Sequence, residues 1–169
     1  AAVAAGLADG LSVKEVIEAR EQRDVPLRLR VRSLPQGVTL LDDTYNASPA
    51  STLAALELLS EMPGQRRIAL LGDMLELGDL ADELHNQVGK RASEVLDVLY
   101  TVGTLAERIS LSAHESGNTR TQHLRSKEDA ARVLRHELQS GDLLLVKGSR
   151  TLELETVIRE LDPLDGDVT

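Results

Sequence analysis

The sequence predicts an α/β domain built on a doubly wound, mostly parallel sheet flanked by helices, and three observations carry that expectation. Four short apolar runs, at residues 38–41, 68–71, 98–102 and 143–146, have the length of strands covered on both faces. Amphipathic stretches near residues 50–61, 79–94, 104–113, 127–139 and 151–161 separate or follow them. Strand and helix therefore alternate, which selects a parallel sheet with right-handed crossovers. Hydrophobic residues make up 41% of the chain and aromatic residues only 1%, so the core is aliphatic.

The elements follow in order. Residues 1–23 read as two short helices, the first Ala-rich and ended by Gly6 or Gly10, the second capped by Ser12 with Val13, Val16 and Ile17 on one face. Such a pair is too small to bury itself, so it is expected to be the end of a neighbouring domain cut away from this chain, with Asp24, Val25 and Pro26 as the joint. Residues 24–32 form the hinge and an edge strand, in which Leu27, Leu29 and Val31 alternate with Arg28, Arg30 and Arg32. Residues 33–169 form the α/β domain. Helix starts are marked by Ser48 before Pro49 and by Ser126 before Lys127, with Glu128 and Asp129 in the first turn. A further short strand is placed at Thr121–Leu124.

Composition excludes several function classes. A net charge of −9, an acidic tail of Asp162, Asp165 and Asp167, and the lack of Phe and Trp argue against a nucleic-acid partner. Without Cys there is neither a disulfide framework nor a thiolate metal site. No apolar run reaches spanning length and the Ala-rich start has no basic flank, so membrane insertion and a signal peptide are not expected, and a cytoplasmic location is.

Ligands of doubly wound sheets bind beyond the carboxyl ends of the strands. There the chain places Asp42-Asp43-Thr44-Tyr45-Asn46-Ala47-Ser48-Pro49, then Gly72-Asp73-Met74-Leu75-Glu76-Leu77-Gly78, Gly103-Thr104 and Lys147-Gly148-Ser149-Arg150. Asp, Asn, Ser and Pro are ordinary turn residues. Two adjacent carboxylates and a Tyr nevertheless exceed what a turn requires. Asp43 suits the vicinal hydroxyls of a ribose, because an ionised carboxylate accepts two hydrogen bonds, while Tyr45 and Asn46 suit a base or a reacting group. Asp73 has a plain alternative as the holder of loop amides. Lys147 and Arg150 supply charge for a carboxylate or phosphate, and Gly148 is expected to leave amides open ahead of a helix start. His85 has no second His or Cys at ligand spacing, so a hydrogen-bonded or surface His is expected and no metal site is assigned. Neither a G-x-x-x-x-G-K-[ST] loop nor a G-x-G-x-x-G fingerprint occurs, so the phosphate cradle of a complete ATP-using enzyme is missing.

The three loop motifs, in this order and spacing, resemble the carboxyl-terminal domain of the Mur ligases over about residues 25–160, and most nearly the MurF branch, which adds D-alanyl-D-alanine to UDP-MurNAc-tripeptide. The resemblance implies an ATP-dependent amide ligase of peptidoglycan synthesis that works through an acyl phosphate. It also implies ATP and Mg2+ bound mainly by an absent central domain, and the enzyme's own amino-terminal and central domains as partners. Residues 1–23 resemble the closing helices of that central domain. By this likeness Arg28, Asp43, Tyr45 and Asn46 belong to the nucleotide side, Arg28 matching the hinge arginine and Asn46 falling where sister ligases often place a His. Asp73, Glu76, Lys147, Ser149 and Arg150 are the candidates for the amino-acid side. No catalytic residue is assigned within this chain, and the chain alone is expected to be inactive. Leu27 stands where the family commonly has Gly at the hinge, and Thr44 and Ser48 replace the more usual Ser and Asn. Two other readings stay open: a sister ligase of the MurE, folylpolyglutamate or cyanophycin branch, and a non-catalytic module that holds a nucleotide or a partner protein.

Overall fold

The computed structural model describes residues 29–118 and 120–162. The two amino-terminal helices, the joint at residues 24–26 and Arg28 lie outside the described residues. Among the described residues, six strands form one sheet in the order β1-β2-β6-β3-β4-β5. They are β1 (Arg30–Ser33), β2 (Thr39–Asp43), β3 (Arg67–Gly72), β4 (Val98–Val102), β5 (Thr121–Leu124) and β6 (Leu143–Lys147). Only β1 is antiparallel, paired with β2 at the edge through Arg30↔Asp42 and Arg32↔Leu40. All the other pairs are parallel. The expected fold class and the short strand at Thr121–Leu124 are present, and β1 contains Arg30, Val31 and Arg32 of the expected basic edge strand, whose start lies outside the described residues.

Among the described residues, five helices cover the sheet: α1 (Pro49–Glu61), α2 (Ala81–Val95), α3 (Glu107–Glu115), α4 (Lys127–Glu137) and α5 (Glu155–Leu161). Strand side chains alternate between faces, and the two halves of the core follow that alternation. Leu41, Ala69, Leu71, Leu99, Leu143 and Leu145 meet α1, α2 and α3 through residues such as Leu56, Leu59, Val88, Ala92 and Ile109. Their neighbours Leu40, Ile68, Leu70, Val98, Tyr100, Leu144 and Val146 face α4 and α5 through Ala130, Leu134, Val157, Ile158 and Leu161. Continuous apolar runs were required because both faces are buried.

Two helix starts differ from the sequence expectation. The segment expected as a helix over 151–161 opens with a 3-10 turn, Arg150–Leu152, and becomes α5 only at Glu155. A 3-10 turn at Gly78–Leu80 likewise precedes α2. In both places the chain must leave a strand end and reverse, and a tighter turn does so in fewer residues.

At the amino ends of the strands, away from the candidate loops, Arg66 forks onto Asp142 at 2.9 and 2.7 Å and also binds Glu137. Nearby Tyr100 is buried, and burial, with help from Glu137 and opposition from Arg120 and Arg66, raises its phenol above the ordinary value of 10.0. The unfolded chain then loses this proton first, so Tyr100 makes stability fall as pH climbs past about 10. Tyr100→Phe should remove that part of the alkaline loss. Equal losses for parent and variant in denaturant unfolding between about pH 9 and about pH 11 would sink the assignment.

Candidate functional site at the carboxyl ends of the strands

Strand order decides where a crevice opens. The chain leaves β2 and β3 toward α1 and α2 on one face, and leaves β6, which lies between them, toward α5 on the other. Loops on either side of β6 therefore diverge, and the gap between them is where ligands of such sheets bind. The loops that follow β2, β3 and β6 are those carrying the three sequence motifs.

The first loop is held by its own polar residues. Asp42 Oδ1 accepts from the Thr44 amide at 3.2 Å and its hydroxyl at 2.8 Å, and Asp42 Oδ2 pairs with Arg32 across the edge at 3.4 Å. Asn46 Oδ1 accepts from the Ala47 amide at 2.9 Å. Ser48 then caps α1 in a reciprocal box with Ser51, with Pro49 opening the helix. Asp43 points inward. Lys147, directly opposite on β6, donates its ammonium to Asp43 Oδ2 at 2.5 Å and to the Asn46 carbonyl at 2.9 Å. Their side chains are only 5% and 1% exposed. Loss of hydration lowers the Lys147 ammonium from its ordinary range, and the Asp43 charge offsets part of that fall.

The second loop is committed in a similar way. The Asp73 carboxylate accepts the amides of Thr104, Leu105 and Ala106 at 3.1, 2.8 and 2.7 Å, which shapes the entry to α3. Gly103 adopts φ +111°, and a Cβ there would fall 2.4 Å from Asp73 Oδ1, so no other residue fits. His85 is fully buried: its Nε2 accepts the Met74 amide at 3.1 Å, and its Nδ1 donates to the Ala81 carbonyl at 2.7 Å. The imidazole is thus neutral and pins the loop to α2. Glu76, exposed at the loop tip, holds a left-handed φ of 62°, a conformation that costs a non-glycine residue about 1–2 kcal/mol.

The third segment leaves β6 close against β3. Gly148 and Gly72 pack so tightly that a Cβ on either would lie 3.2 Å from the other's Cα. Two amides here are in use: Ser149 donates its N–H to the Asp73 carbonyl, and Thr151 donates its N–H to Ser149 Oγ. Gly148 serves close packing against β3. Arg150 emerges exposed, pairs with Glu155 at 3.4 Å, and places its guanidinium 6.0 Å from the Tyr45 ring centre.

Two adjoining clefts result. One, of about 380 Å³, is lined by Arg30, Asp42, Thr44, Tyr45, Arg150 and Glu155. The other, of about 550 Å³, has Asn46, Glu76 and Ser149 as polar lining and Leu75, Leu77 and Ala47 as apolar lining. Tyr45, 55% exposed, and Arg150 line both and form the wall between them.

Of the residues expected at the site, Tyr45, Asn46, Glu76, Ser149 and Arg150 line a cleft, and Arg28 lies outside the described residues. Asp43, Lys147 and Asp73 sit behind the surface with their charged groups already engaged. Sequence reasoning missed Arg30 and Glu155 as cleft residues, while Asp42 lay within the candidate loop. The Arg30↔Asp42 register would have exposed Arg30, but it depends on knowing that β1 turns back on β2. Among the described residues, no group of three or more His, Asp or Glu is placed to hold a metal ion. Nor is any described helix long and apolar enough to cross a membrane.

Comparison with known proteins places these loops in a family. Residues 27–150 match the model of the Mur ligase, glutamate ligase domain. The UDP-N-acetylmuramoyl-tripeptide--D-alanyl-D-alanine ligase of Bacillus subtilis is 33% identical over 165 residues, which is 95% of this chain and 36% of the relative. That of Escherichia coli is 37% identical over 142 residues, or 81% of this chain and 30% of the relative. Among solved structures, MurF ligase from Thermotoga maritima in complex with ADP superposes with a TM-score of 0.69 at 30% identity, over 94% of this chain and 35% of that one. This chain spans about a third of the length of the relatives it matches. With the matched span and the superposed fold in agreement, the chain belongs to the Mur ligase family, through its glutamate ligase domain.

Proposed function

We propose that the chain is the carboxyl-terminal part of an ATP-dependent ligase that joins D-alanyl-D-alanine to UDP-MurNAc-tripeptide in bacterial peptidoglycan synthesis, in the cytoplasm. The observation that carries this reading is the double cleft at the carboxyl ends of β2, β6 and β3, open on one side, in a chain about a third identical to ligases bearing that name. In the proposed reaction a carboxylate oxygen of the tripeptide attacks the γ-phosphorus of ATP and ADP leaves. The dipeptide amine then bonds to the acyl carbon, the carbon–oxygen bond to phosphate breaks, and the amine gives up a proton.

The cleft with Arg30 and Tyr45 adjoins the edge strand that follows the expected hinge, and its guanidinium and aromatic ring suit a nucleotide. The cleft with Glu76 and Arg150 carries one acid and one base among Leu75, Leu77 and Ala47, which suits a small zwitterion with short apolar side chains. Among the described residues no group of three or more His, Asp or Glu would hold Mg2+, which in this reading is bound mainly by the central domain. The phosphate-binding groups and the tripeptide site belong, in this reading, to the amino-terminal and central domains. ADP release with ATP, UDP-MurNAc-tripeptide and D-alanyl-D-alanine should be strong for a protein that includes those domains and absent for the 169-residue chain. ADP release that depends on a single amino acid instead of the dipeptide would move the protein to a sister branch, and nucleotide binding without turnover would make it a binding module.

A further inference from the structure

Lys147 has no surface to offer a ligand, yet both of its hydrogen bonds end on the loop that lines the clefts. Its ammonium reaches Asp43 and Asn46, the residues that bracket Thr44 and Tyr45, and so closes the turn from which Tyr45 projects. The other half of the wall, Arg150, lies three residues beyond Lys147 on the same β6 extension, fixed to β3 by the Ser149 amide on the Asp73 carbonyl. Tyr45 and Arg150 are therefore both referenced to Lys147, one through its side chain and one through its backbone. Of the other hydrogen bonds at the turn, Asp42 to Thr44 and Asn46 to Ala47 are local, and Asp42 also pairs with Arg32 on β1 at 3.4 Å. A buried ammonium that satisfies two acceptors is worth more than such part-buried contacts, because water competes less for it.

We propose that Lys147 is a positioning residue, whose ammonium holds the turn at residues 43–46 so that Tyr45 stands against Arg150 as the partition between the two clefts. The partition makes two separate subsites out of one trough. Its consequence for turnover rests on the ligase reading above, but the partition itself does not, and it is tested without any ligand.

The chain contains two tyrosines, Tyr45 and Tyr100, so 3-fluorotyrosine labelling gives two fluorine resonances, assigned by Tyr100→Phe. Tyr100 is buried among the residues facing α4 and reports on global folding. Arg150→Ala should shift the Tyr45 signal alone and so identify the wall contact. In Lys147→Met the Tyr45 resonance should move to the position and narrow width of an unstructured tyrosine while Tyr100 stays in place. A Tyr45 signal unchanged in Lys147→Met would overturn the proposal. Should the lone substitution unfold the chain and move both signals, Asp43→Leu combined with Lys147→Met removes the orphaned buried charge, and the same selective loss at Tyr45 is expected. In the unaltered chain the Lys147 ammonium protons should exchange with water far more slowly than those of Lys90 or Lys127. Exchange as fast as at those lysines would also overturn it.

Discussion

Asp73→Ala is expected to remove about 3–5 kcal/mol of folding stability, because it strips a charged acceptor from three amides at the entry to α3 and leaves that of Ala106 shielded from water. The loss exceeds that of an ordinary helix cap, about 1 kcal/mol, because this one carboxylate serves a turn built around Gly103 as well as the helix start. Asp73→Asn should lose only about 1–2 kcal/mol, since the amide oxygen can keep the Leu105 and Ala106 bonds while the amide nitrogen faces the Thr104 N–H. Urea unfolding of the three proteins measures the ladder. A loss below about 1 kcal/mol for Asp73→Ala would mean that the carboxylate is not needed by the turn and is available to a ligand. The expected ladder has a functional corollary: a defect in dipeptide use by an Asp73 variant would report a misplaced Ser149, whose amide rests on the Asp73 carbonyl, before it reported a lost substrate contact.

That double duty explains why fold and site were unequally legible in the sequence. The strands at residues 68–71 and 143–146 announced themselves because burial on both faces demands unbroken apolar runs, a local property. Ser48, Pro49 and Ser126 marked helix starts for the same reason, since a cap bonds within three residues. Strand order is not local. Nothing near Leu143 says that β6 inserts between β2 and β3, and that insertion alone brings Lys147 opposite Asp43, 104 residues earlier. Read singly, Asp43 and Lys147 looked like an acceptor for a ribose and a cation for a carboxylate. Brought together, each satisfies the other. Tyr45, Glu76 and Arg150 were read more directly, because residues at the tips of loops face outward whichever strand they follow. The 3-10 turn at Arg150–Leu152 escaped notice because helical periodicity continues through it, although its cap at Ser149 bonds Thr151 and not a residue of α5.

The second large effect concerns that internal pair. Removing one partner, by Lys147→Met or Asp43→Leu, strands a charge in a site whose side chains are 5% exposed or less and should destabilise the domain by about 3–5 kcal/mol. Removing both together should cost less than either alone, about 1–2 kcal/mol, chiefly for the Asn46 carbonyl left without its donor. The sign of the coupling distinguishes a buried pair from two solvated charges, whose removals would simply add. Alkaline pH gives an independent check. Because burial holds the folded-state affinity of Lys147 for its proton below the ordinary value of 10.5, the unfolded chain binds more protons between the lowered value and 10.5. This group's contribution therefore becomes more favourable to folding as pH rises through that window. Asp43→Asn withdraws the charge that offsets burial, lowers the Lys147 affinity further, and should widen the window toward neutral pH. Urea midpoints for the parent and for Asp43→Asn, compared from about pH 7 to about pH 10, should converge as the lysine loses its proton. Curves that stay parallel would mean that Asp43 does not hold the Lys147 charge in place, and with it would go the reason for Tyr45 to stand where it does.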